Sequence, residues 1–280
     1  MAELPELETL RRELEKESVG KRFKPPEVVG AKVTKRNGNK KVFQTRLEGA
    51  KVKSIDRRGP FLSANLDSGE LLLIELGVRG YLEKVAPRST APKGTMVTFA
   101  FTQGGQIRLV DPGGTSQVFV AALDNLAEEA PELAKIGLDP VADPVSWTSF
   151  ARVLLDRTVK LKTLLMDGEV VAGIGPIYSD EILWEAGLRH DRVSSELSSQ
   201  EIRRLFRALV ETLHEAVKHR GSSVDDHPFV DLYGKPGDHQ DELKVYGREG
   251  EPCARGGCRG IVRRKTQGGR STFYCPACQR

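Results

Sequence analysis

Four thiols close the chain. Cys253 and Cys258 form a C-x4-C, Cys275 and Cys278 a C-x2-C, and they are the only cysteines among 280 residues. Two short pairs separated by sixteen residues deliver four soft thiolates from two knuckles, the donor set that Zn2+ takes tetrahedrally. With no signal peptide and no apolar run long enough to cross a bilayer, a reducing, cytoplasmic setting is expected, in which clustered thiols hold metal rather than two disulfides. Zn2+ is therefore the expected cofactor, held by Cys253, Cys258, Cys275 and Cys278.

Between and after the thiols lie Arg255, Arg259, Arg263, Arg264, Lys265, Arg270 and Arg280, and no Asp or Glu follows Cys253. The whole chain carries only +4, so everything before the thiols sums to a net negative charge. A zinc tetrathiolate removes two units and still leaves about +5 there, which suits a phosphate backbone. The runs RGIVRRK and RSTFY suit two strands of a β-hairpin, with Gln267-Gly268-Gly269 at the turn and Arg270 just past its tip. A folding staple with a merely solvated surface is the plainer reading, but charge of a single sign favours contact with nucleic acid.

The other end offers a nucleophile. Ala2 is small enough that removal of Met1 is expected, leaving an α-amine beside the Glu3 carboxylate. Such an amine titrates near pH 8, so an unprotonated fraction is available for imine chemistry with an acid/base beside it. Most chain termini do no chemistry, and the pair carries no weight alone.

These groups must be positioned by something. From Pro5 the pattern is helical, with Leu7, Leu10 and Leu14 on one face and Glu13, Glu15, Lys16 and Glu17 on a wet one. From Val28 to Phe119 short strand-like runs (EVVGAKVTK, KVFQTRL, AKVKSIDRRG, FLSANLD, ELLLIELGV, MVTFAFT, QIRLVD) alternate with Asn37-Gly38, Asp67-Ser68-Gly69 and Gly104-Gly105 turns, which predicts an antiparallel sandwich or barrel. Helical periodicity then runs through 118–134, 147–155, 159–166, 178–186 and 198–219. In LKTLLMDGEVVAGIGPIYSDEILWEAG a helix ends at Asp167-Gly168, glycine turns follow, and a new helix starts at Pro176. That arrangement aims backbone N–H groups at a phosphate, although the same glycines also suit a plain, close-packed helix hairpin. The expected architecture is α+β and multidomain: residues 1–125 a helix and β-sandwich, 126–250 a helical domain with two tight turns, and 251–280 the finger.

Taken together, MAELPELETLRREL, LLMDGEVVAGIGPIYSDEILWEAG, ELKVYGREGEPC and the four-Cys finger resemble the formamidopyrimidine-DNA glycosylase and endonuclease VIII family along nearly the whole chain. The resemblance implies a helix-two-turns-helix motif, DNA repair, and a monomer without a nucleotide cofactor. It also implies a bifunctional glycosylase/AP lyase in which an N-terminal proline amine attacks the sugar C1′ and the next Glu moves protons. Lys162, Glu181, the run 246–250, Arg270 and the four Cys match the family pattern.

Elsewhere the chain departs from it. Ala2 stands where the family has its catalytic Pro, with Glu3 kept as the other catalytic candidate. Pro60 replaces a phosphate-binding Lys, Glu75 a His, and Pro176 a phosphate-binding Asn. The wedge residues that fill the gap left by a flipped nucleotide reduce to Leu76-Gly77-Val78, and Asp111-Pro112-Gly113-Gly114-Thr115 lacks the Arg and Phe that supply the others. Asp225 lies near a position that is basic in relatives. The expectation is a nucleoid-associated DNA-binding protein, acting on damaged, abasic or distorted DNA through Lys162, Arg263, Arg264 and Arg270, with weak or no base excision. One alternative is an active glycosylase/AP lyase using Ala2 and Glu3 on a non-standard substrate; another is an RNA-binding or interaction module.

Overall fold

The structure, a computed structural model, describes residues 2–30, 34–267 and 269–280. Its contacts divide the chain into two units, Met1–Ala134 with Arg220–Gly237, and Lys135–His219 with Asp238–Arg280. In the first unit α1 (Leu4–Ser18) begins with Pro5 in its first turn, where the missing N–H is not needed. Leu7, Leu10 and Leu14 are buried in the same core as the strands, each contributing about 1.5–3 kcal/mol by leaving water.

Two four-stranded antiparallel sheets share that core. One has the order β1 (Glu27–Val28), β6 (Thr95–Ala100), β7 (Gln106–Val110), β5 (Tyr81–Val85); the other runs β2 (Val52–Arg58), β3 (Phe61–Leu66), β4 (Glu70–Glu75), β8 (Gln117–Ala122). The expected sandwich is present, with three local differences. KVFQTRL is not a strand but α2 (Lys40–Leu47), because the Asn39 side chain accepts the Val42 N–H at 3.0 Å and the i,i+4 pair Phe43 and Leu47 enters the core. The start of the expected 118–134 helix is strand β8, paired along β4; beyond it Leu126–Glu129 is α-helical (α3) between 3-10 turns at Leu123–Asn125 and Pro131–Lys135. Of EVVGAKVTK, Glu27–Val28 is strand, while 31–33 lie outside the described residues.

Glu13 is a further correction. It is 3% exposed rather than on a wet face, because Leu232 N–H donates to it at 2.9 Å and the Arg220 guanidinium pairs with it. Two turns back on the same helix Glu6 does similar work, since it accepts the Ser222 N–H at 2.7 Å. The carboxylates of α1 thus hold segment 220–237 in the first unit, which no local pattern in that segment announces.

The second unit contains α4 (Trp147–Leu155), α5 (Leu161–Leu165), α6 (Pro176–Ala186), α7 (Ser199–Lys218) and the hairpin β9 (Arg263–Gln267) and β10 (Arg270–Tyr274). Ser198 opens α7 as its N-cap with Glu201 three residues on. The helix-two-turns-helix expected from the glycines is α5, the turns through Gly173 and Gly175, and α6. Among the described residues no helix is long and apolar enough to cross a membrane.

Candidate functional site

The thiols converge. All four sulphurs lie within 4.8 Å of one another, with Cys253 to Cys278 and Cys258 to Cys275 each 3.7 Å apart. A tetrahedron with Zn–S bonds of about 2.3 Å has an edge of about 3.8 Å, so the cradle fits Zn2+ and these are its ligands. Trp184 Nε1–H donates to the Cys253 sulphur at 3.3 Å and Gly260 N–H to that of Cys258 at 3.4 Å, orienting the ligands from outside. A Cβ on Gly260 would stand 2.5 Å from the Cys275 sulphur, so only glycine fits.

The two strands between the knuckles pair from Arg263 opposite Tyr274 to Arg270 opposite Gln267, as expected; Gly268 of the anticipated turn lies outside the described residues. Arg263, Arg264 and Arg270 are exposed. Arg264 Nε reaches Ser271 Oγ at 3.0 Å, and the guanidinium lies 5.7 Å from the Phe273 ring centroid.

Lys162 behaves differently. Its ammonium sits 2.7 Å from Asp180 Oδ1 and 2.8 Å from the Ser271 carbonyl, while Asp180 Oδ2 accepts the Phe273 N–H at 2.8 Å. Lys162 and Asp180 therefore clamp β10 onto α5 and α6. Burial pushes the Asp180 carboxyl up to about 7, against the pull of Lys162 and the Phe273 amide. Next to it, Glu181 accepts the N–H groups of Lys244, Val245 and Tyr246 at 2.8–2.9 Å, and burial raises its pKa too. Asp180 was not foreseen. Its signal in the sequence was two adjacent acids inside the otherwise apolar run PIYSDEILW.

Lys162 and Arg270 both line a cleft of about 540 Å³ in the second unit, together with Lys160 and His190. Ala2 lies in the first unit, in a cleft of about 620 Å³ whose walls include Leu76, Val78, Arg79, Tyr81, Asp225 and Phe229. Ala2 thus shares a cleft with Val78, one of the wedge positions, and with Asp225; Met1 is outside the described residues. Glu3 is buried as the N-cap of α1, its N–H donating to Glu6 Oε2 at 2.8 Å.

Against the backbone of Gly77 and Gly80, the latter on the wall of that cleft, packs a turn that grips itself. Asp111 accepts the N–H groups of Gly113, Thr115 and Ser116 at 2.7–2.8 Å, and the Ser116 hydroxyl at 2.8 Å. These bonds outweigh the cost of desolvating the carboxylate and hold its pKa below the usual range. Ser116 Oγ in turn accepts the Gly77 N–H at 2.8 Å, and a Cβ on Gly77 would collide with Thr115 and Ser116. Of Leu76, Gly77 and Val78, only Val78 is exposed, at 65%. The sequence marked this loop by what it lacks; that Asp111 latches it closed emerges only in three dimensions.

Known proteins carry the same three parts in the same order. Residues 1–118 match the formamidopyrimidine-DNA glycosylase N-terminal domain, 136–227 the formamidopyrimidine-DNA glycosylase H2TH domain, and 250–280 the zinc finger found in FPG and IleRS. The formamidopyrimidine-DNA glycosylase of Geobacillus kaustophilus is 37% identical over 100% of both chains, and that of Pelotomaculum thermopropionicum 34% identical over 100% of this chain and 99% of its own. Among solved structures, the Lactococcus lactis Fpg in complex with abasic-site DNA superposes with a TM-score of 0.90 at 30% identity, covering 100% of each chain. The MutM (Fpg) protein of Thermus thermophilus gives 0.87 at 32% identity, covering 99% of this chain and 98% of its own. The chain belongs to the formamidopyrimidine-DNA glycosylase family.

Proposed function

We propose that this protein acts in DNA repair by binding abasic, nicked or otherwise distorted DNA as a monomer in the cytoplasm, with little or no excision of bases from intact duplex. The observation that carries the binding is the state of the hairpin charges. Arg263, Arg264, Lys265 and Arg270 are exposed, and no carboxylate of the described residues forms an ion pair with any of them. Cations left uncompensated beside a zinc knuckle exchange condensed counterions for phosphates. The L. lactis relative bound to abasic-site DNA supports the same assignment.

Excision is curtailed for a different reason. Extruding a nucleotide costs a few kcal/mol, offset in the family by side chains that fill the vacated stack. Here Val78 is the exposed wedge, and Asp111 folds its loop onto itself without offering a long side chain. DNA that is already unstacked does not incur that cost.

Fluorescence anisotropy across a salt series tests the binding. Affinity for abasic or nicked duplex is expected to fall with a log–log slope of roughly −3 to −4, about 0.9 per phosphate contact, and Arg263→Ala with Arg270→Ala should flatten it by about 2. No binding by the zinc-loaded protein at low salt would overturn the proposal.

A second reading is supported by Ala2 itself, since it lines the first unit's cleft beside buried Glu3. With Met1 removed, its primary amine condenses with the aldehyde of an abasic site to an imine, the start of strand cleavage by elimination. Borohydride trapping on abasic DNA separates the readings; an adduct that disappears when the terminus is masked favours the lyase.

A further inference from the structure

Two tight turns contribute to the walls of the Ala2 cleft, and they carry opposite charge. In one, Gly80 N–H donates to the Gly77 carbonyl at 3.0 Å, so Val78 and Arg79 are the central residues of a four-residue turn. Gly77 N–H to Ser116 Oγ at 2.8 Å ties this turn to the Asp111 loop, and a Cβ on Gly80 would stand 2.3 Å from the same oxygen. In the other, Val224 and His227 exchange N–H to carbonyl bonds at 3.3 and 2.9 Å, with Asp225 and Asp226 between them.

The acidic turn lies between fixed points. Ser222 N–H is held by Glu6, Phe229 is packed in the core, and Phe229 N–H donates to Ser223 Oγ at 3.0 Å. A swing of residues 224–228 leaves those anchors in place. Three charged side chains line the cleft, Arg79, Asp225 and Asp226, and all three are exposed. Asp226 has an imidazole beside it, His227 Nδ1 at 3.2 Å, whereas Arg79 and Asp225 form no ion pair with any described residue. A carboxylate on the wall of a cleft that receives a polyanion repels it unless a cation meets that carboxylate. Arg79, on the other turn, is the cation the cleft offers.

We propose that segment 224–228 closes over DNA bound in this cleft and that an Arg79–Asp225 ion pair clasps it shut. The two side chains are unpaired in the structure, where the cleft stands open at about 620 Å³. An exposed pair in water contributes little. A bound strand excludes water, and the same two charges then attract about four times more strongly than in water. The clasp therefore acts after encounter, on the rate of release. It rests on the DNA-binding reading and deepens it, by giving Arg79 and Asp225 a joint task in holding the complex.

The test is release of the zinc-loaded full chain from a duplex with one reduced, uncleavable abasic site, followed by stopped-flow anisotropy after unlabelled competitor is added. Asp225→Asn decides the matter by sign. Removing a negative charge beside DNA slows release if repulsion is all that matters, whereas the clasp predicts release about three- to tenfold faster. Arg79→Gln should speed release at least as much, and adding Asp225→Asn to it should bring no further gain. Exchanging the charges, Arg79→Asp with Asp225→Arg, should return the rate to within about twofold of wild type. By 15N NMR, the Arg79 Nε–H should gain protection from solvent exchange on the abasic duplex and lose it again in Asp225→Asn.

If the wild-type protein binds the abasic duplex and Asp225→Asn leaves it at the same rate or more slowly, the clasp is refuted and the DNA-binding reading stands. A charge-exchanged protein that releases as fast as the single variants refutes the clasp too. If the wild-type protein does not bind the duplex at all, both fall.

Discussion

Glu6 and Ser222 are 216 residues apart and joined by a 2.7 Å hydrogen bond from the Ser222 N–H to Glu6 Oε1. The other Glu6 oxygen accepts the Glu3 N–H at 2.8 Å, so one carboxylate fixes both the cap residue behind Ala2 and the base of the loop that carries Asp225. Gly221 adjoins it with φ +84, and a Cβ there would stand 2.7 Å from Glu6 Cγ. Both the backbone conformation and the close approach demand glycine.

Replacing that carboxylate should loosen both ends of the cleft. Glu6→Ala leaves two backbone donors without their acceptor and is expected to cost about 2–4 kcal/mol in a urea melt. Glu6→Gln, which keeps an acceptor oxygen, should cost less. Hydrogen exchange at the Ser222 amide reports the same event locally and should quicken in the alanine variant.

The Lys162–Asp180 clamp predicts a pH signature. Asp180 holds its proton to about pH 7 in the folded chain but only to about 3.9 unfolded, so between those values the folded state binds more protons. This group's contribution to stability is therefore full below about pH 4 and is lost as pH rises to about 7. Asp180→Asn cannot titrate, and its stability profile should be flatter over that window than the wild type's. At pH 8 the same change takes the opposing charge from the Lys162 ammonium, which keeps the Ser271 carbonyl, and should cost about 3–5 kcal/mol. Thermal melts at stepped pH values check both.

The zinc ligands, the hairpin and the pair of turns before α6 were legible because each is local: two cysteine knuckles, alternating residues around Gly-Gly, and glycines between apolar helices. Lys40–Leu47 was misread because Val42, Phe43 and Thr45 look strand-like in a window too short for the Phe43–Leu47 spacing and the Asn39 cap to count. Val118–Ala122 reads in sequence as the start of a helix, yet its apolar run pairs with β4, a partner over forty residues away that no local window contains. The roles of Glu6, Glu13, Asp111 and Asp180 were hidden for a common reason. Each is an acid whose partners are backbone amides, a hydroxyl or a basic side chain brought in by the fold, and sequence alone reads such acids as solvated.

Removing the metal should dismantle the hairpin's support. Treatment with a chelator or a thiol-reactive mercurial is expected to release one Zn2+ per chain, because structural zinc contributes folding free energy directly. Loss of ordered β9 and β10 by NMR, and at least a tenfold loss of DNA affinity, should accompany it. Cys275→Ser should behave as the metal-free protein does.

Residue two offers a gain-of-function test. If the proposed weakness in excision stems partly from a primary amine where the family has proline, Ala2→Pro should raise borohydride-trapped adduct on abasic DNA well above wild type, with DNA affinity unchanged within about twofold. Equal trapping by both would place the deficit elsewhere, in the latched Asp111 turn and the short Val78 side chain.

The most direct measurement is a single-turnover assay on duplex containing one oxidised purine, at protein concentrations where an abasic duplex of the same sequence is already fully bound. The account predicts a saturated complex with the abasic strand and little or no release of base or cut product from the oxidised duplex over an hour. Rapid excision from that paired duplex, abolished by masking Ala2, would contradict it.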